Sequence, residues 1–422
     1  MCSVPTGTAN PNPPMFLARL PIVFTRLAST LPLFVLLLAT TVFAAEPAPR
    51  RVGDWDIDRR AVFAVAAAPK GRDLHFVYAE GRQLHHAHSA DGGVTWSVAQ
   101  PVASGSAPEL AVDRTGAVHL VYEAVGTPRI EYRRFVRGAW SPPIAITASV
   151  PGKEAQMLAP RIAVDGANHV HVIYWTFGKD KKVWPPSCPT VSSPLPHGVP
   201  DFEPPILWGQ REGGDGRHGT LAVDPAGDVH VFYATHRPNA HFMEHRIRHR
   251  DGTWGRHDVW RGHLVADWCI GAAVTGDGVA HVTVQSRLND GLHVFHASNR
   301  TDPAVRTLEH DFGPENFETV TQLLATPDGD LWFAAGHLEP AEENAQNKPA
   351  HARPNLATWA RRSHASGSWS ERTAVSPTGA INIDTRRGNH PRLVLVDGQV
   401  CIFYAEQRPG EKWRHWQRVL GP

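Results

Sequence analysis

One segment recurs along the chain: an apolar strand, an Asp-x-x-Gly turn, and then Val-His-Val-x-Tyr. Its copies include Leu110-Ala-Val-Asp-Arg-Thr-Gly-Ala-Val-His-Leu-Val-Tyr122 and Ile162-Ala-Val-Asp-Gly-Ala-Asn-His-Val-His-Val-Ile-Tyr174. A third is Leu221-Ala-Val-Asp-Pro-Ala-Gly-Asp-Val-His-Val-Phe-Tyr233. Aligned on the histidine, the series runs His75, His119, His171, His230 and His281, with Trp332 and Cys401 in the same slot of two less regular copies. Seven copies about 45–70 residues apart mark a repeat architecture, in which each unit buries its apolar face only against its neighbours. Apolar residues alternate with period two, so the segments are strands and not helices. A third strand follows in each unit, such as Ile130–Val136. A fourth opens on Gly-x-Trp, at Gly138/Trp140, Gly252/Trp254 and Gly367/Trp369. The pattern predicts an all-β, seven-bladed β-propeller of four-stranded antiparallel blades, six blades being the alternative count.

The last copy supplies strands over 392–396, 400–406 and 413–420 but no fourth. The segment Val52-Gly53-Asp54-Trp55 carries the same Gly-x-Trp opening. It is expected to join the last blade and close the ring, removing two exposed sheet edges. Long insertions follow the second strand at 177–207 and 339–355. Both emerge on the face where the opening strands begin, which is where a ligand is expected.

The first 44 residues read as a signal peptide and 45–422 as a single propeller domain. Arg19 and Arg26 precede the apolar run 31–44, with Val42 and Ala44 at the positions a signal peptidase reads, so cleavage is expected after Ala44. Met15 is an alternative start. Secretion or export to a periplasm follows, with no later segment apolar enough to span a bilayer. Removal of the leader takes Cys2 and leaves Cys188, Cys269 and Cys401; a bridge between Cys188 and Cys269 is open, and Cys401 reads as a buried thiol. A net charge of +1 argues against nucleic acid or an anionic membrane surface as a partner. A monomer is expected.

Ser89-Ala-Asp91-Gly-Gly93-Val-Thr-Trp96 resembles an Asp box, Ser-x-Asp-x-Gly-x-x-Trp, the mark of sialidase-like (BNR-repeat) propellers. The resemblance covers 52–422 at the level of architecture. It implies an Asp capping a turn between the third and fourth strands, with the Trp packed beneath. An Asp box is a folding device remote from the pocket, so it specifies fold rather than activity.

Sialidases carry an arginine triad gripping a carboxylate, a Tyr/Glu nucleophile pair and an Asp acid. Their Phe/Tyr-Arg-Ile-Pro motif is absent here, the nearest string being Pro160-Arg161-Ile162-Ala163. Arg161, Arg217 and Arg392 lie at or just before an opening strand, where their side chains can converge as a carboxylate clamp requires. A second resemblance is to propeller polysaccharide lyases of the ulvan type, which act on uronates. It implies His218 before an opening strand, His236 and Arg237 after a second strand, and Tyr233 at that strand's end as catalytic residues, a base near neutral pKa removing the C5 proton.

The ligand face collects Glu109, Arg161, His218, Asp267, Trp268, Glu318 and His390 before opening strands. After second strands it collects Glu123, Trp175, His236, Arg237, Arg287, His337, Glu406 and Arg408. Aromatic and charged groups so mixed suit a sugar. Arg161, Asp267, Trp268, Arg287, His337, His390, Arg392 and Glu406 are the candidate substrate-binding residues. Among the 25 histidines, His86 and His88 share a strand face, but no third ligand is evident; no metal or other cofactor is expected. The recurring histidines read as packing and hydrogen-bonding groups. The expected function is that of a glycoside hydrolase acting on, or a protein binding, an acidic glycan. Uronate β-elimination and non-catalytic binding of a protein or glycan are the alternatives.

Overall fold

The Asp-x-x-Gly turns fold as tight hairpins because the aspartate side chain satisfies the turn's own amides. Asp113 Oδ1 accepts from the N–H groups of Thr115 (2.8 Å) and Ala117 (2.9 Å). Asp165 Oδ1 accepts from those of Ala167 and His169, both at 2.8 Å. The position between these amides has a positive φ, +81° at Gly116. Asn168 takes the place of glycine in the next repeat at +67°, as asparagine tolerates left-handed backbone. Thr275 and Thr326 replace the aspartate in two repeats, and their hydroxyls donate to Asp277 and Asp328, both at 2.5 Å.

The computed structural model describes residues 47–57, 62–126, 129–146, 156–177, 191–193, 215–237, 240–260, 271–288, 291–300, 308–315, 320–338, 355–375, 390–408 and 410–421. The chain divides into two compact units, Met1–Ala45 and Glu46–Pro422. All described residues lie in the second, and every regular element among them is a strand. No helix among them is long and apolar enough to cross a membrane.

The strands pair as consecutive antiparallel hairpins, in an arrangement consistent with a propeller. One four-stranded sheet is Asp215–Val223, Val229–Arg237, Ala240–Arg248 and Trp254–Trp260. A second is Gly271–Val274, Ala280–Leu288, Gly291–Ser298 and His310–Glu315. A third is Thr321–Ala325, Leu331–Leu338, Asn355–Arg362 and Thr373–Ala374. The last repeat pairs Arg392–Val396, Gln399–Glu406 and Arg414–Val419 with Arg50–Arg51 from the start of the described chain. That pairing matches Arg50 with Gln417 and Arg51 with Trp416, and Ile57 and Trp413 exchange backbone bonds of 3.0 and 2.9 Å. In the first half of the chain the 13-residue strand Gln100–Val112 serves two repeats. Its residues 100–104 pair with the third strand of one and 105–112 with the second strand of the next, so eight strands join into one sheet. Gln156–Val164, Val170–Phe177 and Val191–Ser193 form a three-stranded sheet.

Buried clusters lie between consecutive repeats. Val121, Tyr132 and Ile146 pack on Val170, Val172 and Tyr174. Phe312 and Ala273 pack on Leu331 and Phe333. One cluster joins the first repeat to the last: Phe63, Leu74, Phe76 and Tyr78 with Val394, Val396, Phe403 and Trp413. Each such aromatic, fully buried, contributes about 1.5–3 kcal/mol of transfer free energy.

The recurring histidine ties these hairpins together. His119 and His171 each bond through Nε2 to the turn aspartate, Asp113 and Asp165, at 3.2 Å. The other nitrogen reaches the third strand: His119 Nδ1 to the Tyr132 hydroxyl (2.7 Å), and His75, His230 and His281 Nδ1 to Nε2 of His86, His245 and His296, each at 3.0 Å. Cys401 fills the slot in the last repeat as a buried free thiol. Cys188 and Cys269 lie outside the described residues.

At the Asp box, Asp91 accepts from the backbone N–H groups of Val94 (3.0 Å) and Thr95 (2.9 Å), and Ser89 Oγ accepts from that of Gly93 (2.8 Å). Trp96 meets Phe76 edge-on beneath the turn. Gly93 is required, since its φ is +87° and a Cβ there would stand 1.7 Å from Gln417 Oε1. Gln417, on the last repeat's third strand, donates to the Gly92 carbonyl at 2.9 Å.

Candidate functional site at the heads of the opening strands

Pairing register defines one level across the opening strands. The residues paired two positions after the histidine slot are Ala64, Glu109, Arg161, Thr220, Gly271, Gln322 and Arg392. Three of them meet although they come from separate repeats. Arg392 grips Glu109 with both terminal nitrogens, Nη1 to Oε2 at 3.0 Å and Nη2 to Oε1 at 2.7 Å. Arg161 Nη1 donates to the same Oε1 at 2.5 Å. Glu109 and Arg392 are 8% and 6% exposed. Ala64, the first repeat's residue at this level, carries only a methyl group. Gln322 holds the backbone of Leu393, accepting from its N–H at 2.6 Å and donating to its C=O at 3.3 Å.

Local chain chemistry sets these side chains up. Glu109, Arg161 and Arg392 each follow a proline: Pro108, Pro160 and Pro391. Proline cannot donate to a sheet ladder. In the first two cases the ladder is interrupted there, with register shifts between Ser106 and Glu109 and between Leu158 and Arg161. The shifts restart pairing at the charged residue.

Two guanidiniums against one carboxylate leave the cluster with a net charge of +1. Burial lowers the Arg161 pKa, Glu109 opposing the shift and Arg392 adding to it. His390, two residues before Arg392, is 3% exposed. Burial, then Arg392 and Arg161, hold its pKa well below the ordinary imidazole value, so it is neutral near pH 7. Among the described residues, its Nδ1 and Arg392 Nε are buried without a hydrogen-bond partner.

Solved structures of sialidases are similar to this chain. A microbial sialidase, Hz136, superposes with a TM-score of 0.50 at 12% identity, over 82% of this chain and 73% of its own. The fold is a sialidase-like β-propeller. The phage phi92 endosialidase scores 0.48 at 10% identity, over 88% of this chain and 69% of its own. The sialidase of Trypanosoma rangeli scores 0.48 at 10%, over 77% and 56%. No protein-family model and no curated protein matches the chain.

Within this propeller, Glu109 joins Arg161 and Arg392, and both arginines act on His390. Reading the sequence placed Glu109 on the ligand face but not among the site residues. The Pro-Glu at 108–109 matches Pro-Arg at 160–161 and 391–392, and that shared step is the signal that could have found it. Glu406, at the end of the last repeat's second strand, is buried and accepts from Arg408 Nε at 3.0 Å. Tyr233 is 1% exposed, donates to Glu244 Oε2 at 2.6 Å and accepts from Arg246 Nε at 2.9 Å. Burial and then Glu244 push its pKa far up, so the phenol stays protonated. Tyr122 repeats the arrangement on Glu131, also at 2.6 Å, which marks both as packing devices between second and third strands.

For His218, His236, Arg237, Arg287 and His337 only the backbone is described. His236 pairs with Asp215 at the start of its sheet's opening strand, Arg237 with Ala240, Arg287 with Leu292 and His337 with Leu356. His218 falls in the register shift between Arg217 and Gly219. Antiparallel pairing puts 215–218 and 236–237 at the same end of one sheet, the end that carries Arg161 in its own. The side chain of Arg217 and the residues Asp267 and Trp268 lie outside the described set.

Proposed function

We propose that this chain is an exported, monomeric propeller of seven blades that engages an acidic glycan on the face where its opening strands begin, as a glycoside hydrolase. Two observations support the ring. The eight-stranded sheet divides at Gln100–Val112 into two four-stranded repeats, which with the other five sheets makes seven. The N-terminal strand pairs with the last repeat, and a buried cluster links the last repeat to the first.

The observation that carries the glycan reading is the convergence of Arg161 and Arg392, from the third and last repeats, on one carboxylate. It demonstrates the reach and forked geometry that carboxylate recognition needs, with one positive charge to spare. The sialidases that share the fold favour a sugar acid as the carboxylate's source. Uronate β-elimination is the second reading. Because Tyr233 is buried and protonated, the base of such a reaction falls to His218 or His236, with Arg237 neutralising the uronate.

A panel of sialosides and uronic-acid polysaccharides, offered to the mature protein, tests these readings together. Release of reducing ends without unsaturated product supports hydrolysis. Growth of the ultraviolet absorbance of an unsaturated uronate supports elimination. Binding without product assigns a glycan-binding propeller. Retention of neutral sugars only, or of no glycan at all, overturns the proposal, as does unchanged affinity in Arg392→Ala.

A further inference from the structure

His390 carries a feature that the carboxylate reading leaves unused. Among the described residues His390 Nδ1 is buried without a hydrogen-bond partner, and a desolvated polar atom regains its lost hydration only through a hydrogen bond. Here a second buried orphan, Arg392 Nε, lies two residues along the chain, at the start of the strand Arg392–Val396. Both stand beside a cluster that holds one more positive than negative charge. Two donor-capable nitrogens and a surplus positive charge are complementary to an oxyanion.

We propose that His390 is a proton-coupled ligand group: when a sugar carboxylate enters the Arg161–Arg392 cluster, the His390 imidazole takes up a proton from solvent and donates it in a hydrogen bond to that carboxylate. The inference rests on the acidic-glycan reading above. Among the described residues the charged groups acting on His390 are Arg392, two residues along the chain, and Arg161 on Gln156–Val164, with Glu109 of Gln100–Val112 between the two guanidiniums. In the free protein these arginines and burial keep the ring neutral. An arriving anion cancels the surplus positive charge and, lying beside the ring, stabilises the imidazolium. Linkage then requires that lowering the pH tightens binding. No covalent bond forms or breaks; the ligand binds as a carboxylate and the buffer gives up the proton.

The experiment is calorimetric titration of the full mature chain at pH 6 with N-acetylneuraminic acid and, separately, D-glucuronic acid, each in two buffers of different ionisation enthalpy. For the probe that binds, the expected result is an apparent enthalpy that shifts between buffers by an amount equal to uptake of about one proton per ligand. Its affinity should weaken by up to about tenfold per unit of rising pH. In His390→Gln and His390→Asn the uptake should vanish and the affinity become independent of pH, though weaker at pH 6. Binding with no proton uptake in the unaltered chain overturns the inference while leaving the acidic-glycan reading intact. So does uptake that persists in either variant. Failure of both probes to bind removes the glycan reading and this inference together. The buffer comparison on the unaltered chain decides the matter even if neither variant folds.

Discussion

Glu109 neutralises two guanidiniums that enter from repeats far apart in sequence, and its removal leaves them facing each other. Arg392 is almost fully buried and Arg161 three-quarters so. Breaking a buried pair by deleting one partner typically costs about 3–5 kcal/mol, because the remaining charge is desolvated without compensation. Glu109→Gln is therefore expected to lower the free energy of unfolding by about that much in a urea titration. Glu109→Asp should recover part of the loss. A Glu109→Gln protein as stable as the parent would show that the guanidiniums are solvated and the cluster is not a buried one. The pair Glu109–Arg392 spans 283 positions of sequence. No local pattern encodes such a contact, which explains why Arg161 and Arg392 were legible as strand-head arginines while their common partner was not. The burial of the Tyr233 phenol was not legible for a related reason. Its place at the end of a second strand is readable, but its burial depends on Glu244, across the hairpin on the third strand.

At the scale of the element, the hairpins were readable because their chemistry is local. An aspartate accepting its own turn's amides and a glycine or asparagine with positive φ are residue-type requirements, so they survive in the sequence as Asp-x-x-Gly and its variants. The histidine slot was readable as a repeat, but its bonding was not, since Tyr132, His86, His245 and His296 complete it from a strand that varies between repeats. The Asp box adds a contact between repeats that its motif does not state, the insertion of Gln417 against Gly93. Gly93→Ala is expected to destabilise by about 2–3 kcal/mol, combining the left-handed backbone with displacement of the buried amide. Gln417→Ala in the same chain should relieve the clash and leave the backbone cost. A double-mutant cycle in chemical denaturation should thus give a coupling of about 1 kcal/mol. Strict additivity would place Gln417 elsewhere.

At the scale of the molecule, the buried histidines make the fold acid-sensitive. Burial first, and then neighbouring imidazolium charge, hold His75 at about 3 and His86 at about 4. His281 is held at about 3 by burial and then by Arg362 and Arg300. In the unfolded chain these groups protonate near 6.5, so below that pH the unfolded state binds protons the folded state refuses. Stability is full above about pH 6.5 and declines as pH falls toward the folded-state values, by about 1.4 kcal/mol per unit for each imidazole. His75 and His281 together account for about 3 kcal/mol by pH 5.5. Melting temperature recorded from pH 7.5 to 5 should therefore drop steeply below 6.5. A flat profile would mean that these pairs open to solvent. The pairing of the N-terminal strand with the last repeat bears on the same stability. Trp55 stacks on Tyr78 of the first repeat at 4.9 Å, and its Nε1 reaches His415 of the last at 3.4 Å. Val52 N–H donates to the His415 carbonyl at 2.9 Å. A repeat array is stabilised by the interfaces between neighbours, so one short strand that serves two repeats influences both. Deleting 46–60 exposes the edge of Arg414–Val419 and uncovers the Phe63–Phe76–Phe403 cluster. The expected result is a fall in melting temperature of about 10 °C or more, with a new tendency to associate through the bared edge in light scattering. An unchanged melting temperature would show that the first and last repeats hold together without the N-terminal strand.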